Sequence, residues 1–243
     1  MKKRLYLIVG SLFFLLVFNL YDGHAGFLDI LNDAKEIFSG DEGLTESEII
    51  GGLKEALEIG TAEAVQVVSK VNGYYKNPDI HIPLPDDVRK VEKYMRMAGF
   101  GNKVDEFELS MNRAAEQAAP QAKSIFWKAI KQMTFEDARD ILNGADNSAT
   151  LYFEEKTSAQ LGEVFKPIVG QSMEQVGVTR TYKDLSKKAQ TIPFVDKFSF
   201  DLDQYVTEKA LDGLFVMLAA EEKKIREDPA ARVTDLLKKV FAK

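Results

Sequence analysis

The sequence contains no cysteine among its 243 residues. Thiol nucleophiles, thiolate metal sites, disulfides and attachment of lipid to an N-terminal cysteine are therefore closed to it. Histidine occurs only at His24 and His81. A Ser-His-acid arrangement in the body of the chain would have to use His81, and no G-x-S-x-G turn accompanies it. A lone His beside prolines reads as a surface or partly buried loop residue, and a His-bearing zinc site lacks its other ligands. The phosphate-cradling pattern G-x-x-x-x-G-K-[ST] is missing as well. Carboxylates are plentiful, but abundance is not a constellation, and a carboxylate-pair hydrolase stays a formal option only. No cofactor and no metal is expected. Tryptophan occurs once, at Trp127.

Net basic charge is also lacking. The chain is formally −6. Its first 25 residues carry Lys2, Lys3, Arg4 and Asp22, so their removal would take the charge to −8. An acidic chain without an evident basic cluster is a poor candidate for nucleic acid or for anionic membrane surfaces. The N-terminal segment has a basic start, an apolar run over Leu5–Leu20 and small residues around Ala25. That is the layout of a secretory signal peptide over residues 1–25. The apolar run is short for a span, which takes about 20 residues. Cleavage and an export route to the periplasm are the expectation; an uncleaved anchor through residues 5–20 is the alternative.

What remains is helical periodicity. Residues 26–43 read as a short amphipathic segment and linker, and residues 44–243 as one all-α domain. Thr45–Glu48 is a capping box opening a long helix, which Gly60-Thr61 is expected to bend or break. Asp86 or Asp87 caps a helix closed by Gly99. The stripe Val104, Phe107, Met111, Ala114, Ala115 and Ala118 ends in small residues that let another helix approach closely. Pro120 interrupts it. A second stripe follows over Ala122, Ile125, Phe126, Ala129, Ile130 and Met133. Thr134 caps a short third helix, with Asp137 completing an approximate box, and Asn143-Gly144 suits a left-handed end. A further box is expected at Thr157–Gln160, with a kink at Pro167. Later helices are expected from Thr179 or Thr181, over Tyr205–Ala220, and after Asp228-Pro229. Two proline-containing connections break the pattern, Asn72–Asp86 and Thr191–Asp203. In the first, Ile80, Ile82 and Leu84 alternate and are expected to lie across the helices as a strap. The two runs leave open a minor two-stranded ribbon.

Candidate site residues are few. Glu108, Asn112 and Glu116 share one helical ridge at four-residue spacing, and Arg113 pairs with Glu116 one turn away. The ridge reads either as a polar binding site or as a solvated face. Asp140, with Glu136 and Asp137, forms a second acidic group, but the spacing is not that of an EF-hand, and carboxylates near a helix start suit its dipole. Trp127 is either core, with a cost of about 3–5 kcal/mol on truncation, or an exposed binding residue. The weak ligand-binding candidates are therefore Asn112, Arg113, Glu116, Trp127 and Asp140, with no catalytic residue among them.

The segments ELSMNRAAE (108–116), KQMTFEDARDILNG (131–144), FKPIVGQSMEQVGVT (165–179) and the long C-terminal run from Tyr205 to Phe241 together resemble the bacterial family named domain of unknown function 4197. The resemblance covers Leu44 to Phe241. It implies an exported helical protein and carries no assigned activity, so no residue role is carried over. The function expected from this reading is a structural or protein-interaction domain of the cell envelope. The terminal helix, with Lys238, Lys239 and Lys243 beside an apolar stripe, is one docking candidate. The alternative is a helical carrier that encloses an apolar ligand or lipid in a void of several hundred Å³. The expected partner is an unknown envelope protein or an apolar small molecule, not nucleic acid.

Overall fold

A computed structural model describes residues 45–175 and 201–227. The signal-peptide reading, the 26–43 segment, the helix expected from Thr179 or Thr181, most of the Thr191–Asp203 run and the terminal helix lie outside the described residues. Among the described residues the fold is all-α, with no strand.

Helix α1 spans Glu46–Ser69 and begins as its sequence directs. Thr45 N–H donates to Glu48 Oε2 at 2.8 Å, and Glu48 N–H donates back to Thr45 Oγ1 at 3.3 Å. Gly60-Thr61 does not break it. The Thr61 hydroxyl turns back to donate to Leu57 O at 2.7 Å, and Gly60 leaves room for the tip of Ile225. Helix α2 (Asp86–Met95) starts after Pro85 without a side-chain cap. It runs through a π turn, Arg96–Phe100, into α3 (Gly101–Ala118), and the bend falls at Gly99, whose φ of 85° suits a residue without Cβ. Pro120 is absorbed by one 3-10 turn, Ala119–Gln121, before α4 (Ala122–Gln132). Helix α5 spans Phe135–Asn143 behind the Thr134–Asp137 box, which is fully formed. Its end differs from expectation: Gly144 is extended, not left-handed. A Cβ there would sit 2.1 Å from Ser148 Oγ.

Helix α6 spans Ser148–Gln175 and runs through both Thr157–Gln160 and Pro167. Thr157 and Ser158 are not a cap. Their hydroxyls donate to the carbonyls of Phe153 and Glu154 one turn back, which removes the competition they offer to helix. The start of α6 is capped from a distance by Glu222 on α7 (Leu202–Glu227). Helix α6 is the hub: it packs against α3, α4, α5 and α7.

The core follows the stripes. Phe107, Met111, Phe126, Phe153, Leu161, Phe165, Met173 and Leu214 are fully buried. Phe126 meets Phe153 edge-on at 5.1 Å. Ala114, Ala115, Ala118, Ala119 and Ala122 are buried where the polypeptide turns from α3 into α4 and passes close to α6. This is the close approach that small side chains permit.

Candidate functional site

The ridge Glu108–Asn112–Glu116 on α3 is not a solvated face. Asn112 is 0% and Glu116 4% exposed. What covers them is the non-helical strap between α1 and α2. Its alternating residues Ile80, Ile82 and Leu84 point into the core as the sequence pattern requires. Turns within the strap pair some of its backbone groups, but those of Tyr74, Tyr75 and Ile82 that face α3 need partners there, and buried ones left unpaired are costly. The ridge supplies the partners at successive turns.

Glu116 Oε1 accepts the backbone N–H groups of Tyr74 at 3.1 Å and Tyr75 at 3.3 Å. Its other oxygen pairs with Arg113, whose second nitrogen donates to Asn72 Oδ1 at 2.7 Å. Asn72 is left-handed, with φ 71°, and turns the chain out of α1. One turn along α3, Asn112 behaves as a strand edge would. Its Oδ1 accepts from Ile82 N–H and its Nδ2 donates to Ile82 O, both at 2.9 Å. That pair of hydrogen bonds takes up the inward groups of Ile82, and among the described residues Ile80–Pro85 pairs with no strand. One turn further, Glu108 Oε1 lies 3.1 Å from His81 Nε2, and His81 Nδ1 lies 2.9 Å from Tyr75 O. Both residues are part-buried.

Helix α7 holds the strap from the other side. The fully buried Tyr74 donates its hydroxyl to Ala210 O at 2.6 Å, and Tyr205 donates to Pro83 O at 3.1 Å. Burial first, and the Glu116 charge second, push the Tyr74 phenol far above its usual range, so it stays a neutral donor. Gly213 makes this possible, because a Cβ there would lie 2.7 Å from the Tyr74 ring.

A second buried carboxylate works the same way. Glu222 accepts the N–H groups of Ala149 at 3.0 Å and Thr150 at 2.8 Å, plus the Thr150 hydroxyl, and pairs with Arg226. Both staples join residues more than 40 positions apart, which is why helix-local reading did not find Glu222, Tyr74 or Gly213 as key positions.

The remaining candidates do not join this ridge. Trp127 is 42% exposed on α4, with Lys131 Nζ 4.8 Å from the indole centroid. Asp140 is exposed on α5, and its carboxylate makes no ion pair among the described residues. Glu108 and Glu116 stand two turns apart, roughly 12 Å along the axis. That exceeds the roughly 5–9.5 Å of a glycosidase carboxylate pair.

Among the described residues no group of three or more His, Asp or Glu side chains converges as a metal site. An apolar pocket between α1, α7 and the start of α6 holds about 20 Å³, room for one water. Two larger hollows lie elsewhere. One of about 710 Å³ between α6 and α7 is rimmed by Glu163, Lys166, Asp203 and Glu208. One of about 530 Å³ lies beside Pro83, Asp86, Tyr205 and Lys209. Burial first, then the neighbouring Asp201 charge, raise the Asp203 carboxyl above its usual range. No helix among the described residues is long and apolar enough to cross a membrane.

The geometry defines an all-α domain closed by a non-helical strap that two helices hold through buried polar groups. The family model described as Protein of unknown function (DUF4197) matches residues 43–242, and the chain belongs to that family. No curated protein and no solved structure matches it.

Proposed function

We propose that this protein is a non-catalytic interaction domain of the bacterial cell envelope, exported behind its Leu5–Leu20 segment. One observation carries the reading. The polar residues that most resembled a site, Asn112, Glu116 and Arg113, are engaged in holding the strap, so their hydrogen-bonding capacity serves rigidity. A domain stapled in this way presents a fixed surface, and surface recognition is what such a scaffold supports best.

The carrier reading needs several hundred Å³ of apolar space. The apolar pocket holds about 20 Å³, and the hollows of about 710 and 530 Å³ are rimmed by charged side chains, which favours the interaction reading over it. Native mass spectrometry of the protein released gently from its own envelope fraction tests the choice. The expected spectrum shows the polypeptide alone or with a second polypeptide. A stoichiometric non-covalent adduct of a few hundred daltons would overturn the proposal in favour of a carrier.

A further inference from the structure

From Gln117 to Phe135 the chain has no carboxylate, in a protein whose formal charge is −6. Helix α4 occupies the middle of this interval. Its inner face, Ile125, Phe126, Ala129 and Ile130, is buried against the core. Its outer face carries Lys123, Trp127, Lys128 and Lys131, all exposed. Lys123, Trp127 and Lys131 follow one another at four-residue steps, so they form one ridge roughly 12 Å long. None of the three lysines has a carboxylate partner among the described residues. Most other cations do: Arg89, Lys90, Arg96, Lys103, Lys166 and Lys209 are all paired. Two further cations frame the end of the helix. Lys54 Nζ donates to Met133 O at 3.0 Å, and Arg139 lies over the Phe135 ring at 5.1 Å.

The geometry points to this face of α4 as a contact surface for an anionic phospholipid bilayer. Charge complementarity selects an anionic partner, and the residue types select lipid. Lysine is depleted from the buried centres of protein interfaces, where tryptophan sits in a closed pocket. Tryptophan flanked by lysines is the arrangement of a helix lying at the headgroup level, with the indole at the boundary and the long amines reaching phosphates. Size argues the same way. A helix of 11 residues offers a face of roughly 160 Å², far below the roughly 800 Å² per partner of a stable protein interface. A bilayer needs no matching surface. Each lysine near an anionic surface strengthens binding about fivefold. Three give roughly a hundredfold preference over uncharged lipid, a reversible contact and not an anchor. The inference stands apart from the protein partner proposed above.

Trp127, as the sole tryptophan, is its own reporter. The full chain is titrated with vesicles of phosphatidylcholine alone and with 30% phosphatidylglycerol, and Trp127 emission is followed. The expected result is a blue shift with the anionic vesicles only, reversed by 0.5 M salt. Each Lys→Gln change at 123, 128 or 131 weakens it about fivefold. The triple change K123E/K128E/K131E, at exposed positions that leave the fold intact, abolishes it. Adsorption through Leu5–Leu20 does not depend on these lysines, so a shift that survives the triple change overturns the inference. An unchanged emission with both vesicles overturns the inference. So does an equal shift with both. A shift with polyglutamate but not with vesicles also overturns it, and assigns the face to an acidic polypeptide.

Discussion

Asn112→Ala removes one side chain and leaves two buried backbone groups without partners. Ile82 N–H and C=O both bond to Asn112, and Ile82 is 1% exposed, so water does not replace the amide without the strap opening. Leaving a buried donor or acceptor unsatisfied costs about 1–3 kcal/mol. Two such groups put the loss at about 3–4 kcal/mol, allowing for partial relaxation. The third bond, to Glu108 O, adds little, because that carbonyl lies within a continuing helix. For a domain near 200 residues each kcal/mol moves Tm by roughly 2–4 °C, so the expected drop is roughly 6–16 °C. Urea unfolding followed by circular dichroism measures it. Ser110→Ala is the control. Ser110 is equally buried on the same helix, yet its hydroxyl donates only to the carbonyls of Glu106 and Phe107 in its own turn. It is expected to cost less than about 1 kcal/mol. If Asn112→Ala costs no more than Ser110→Ala, the two bonds to Ile82 do not hold the strap and the reasoning about the ridge fails.

Gly213→Ala places a methyl group against the Tyr74 ring and Ile80. It is expected to cost about 1–3 kcal/mol by overpacking, readable in the same urea series. Trp127→Ala is expected to cost less than about 1.5 kcal/mol, because the ring is 42% exposed. A loss of 3 kcal/mol or more would place the ring in the core after all. Thr134→Ala removes the α5 capping box and is expected to cost about 1 kcal/mol at pH 7. Hydrogen bonds from the Thr134 hydroxyl and N–H hold the Asp137 carboxyl below its usual range. A depressed carboxyl stabilises the fold fully above its unfolded value of about 4, and that contribution is lost as pH falls through the lower native value. The difference between wild type and Thr134→Ala is therefore expected to be constant above about pH 5 and to shrink below pH 4. A difference that grew with acid would contradict the assignment.

Where an element is governed by its neighbours in sequence, it was legible. The Thr45–Glu48 box, the Thr134–Asp137 box, the stripes of α3 and α4 and the inward alternation of Ile80, Ile82 and Leu84 follow from residue type and spacing, and the fold bears them out. Gly60 and Pro167 look like breaks in a short window but lie inside helices that packing keeps continuous, Gly60 against Ile225 and α6 against α3 and α7. The polar ridge was legible as a ridge and not as an anchor. A buried Asn and a solvated Asn have the same letter, and the partners of this one lie 30 residues away. Net charge is silent about faces for a related reason. It averages over faces, whereas the α4 face collects Lys123, Lys128 and Lys131 without a carboxylate.

Native-state hydrogen exchange resolved by residue tests the central claim, that buried polar groups on α3 lock the strap into the core. The amides of Tyr74, Tyr75 and Ile82 donate to Glu116 and Asn112, not to any helix or sheet. The account predicts that they exchange only through global unfolding, with the protection of Met111 on α3 and Phe165 on α6. Exchange orders of magnitude faster than those core amides would mean that the strap opens on its own, and would return Asn112 and Glu116 to the list of groups free to meet a ligand.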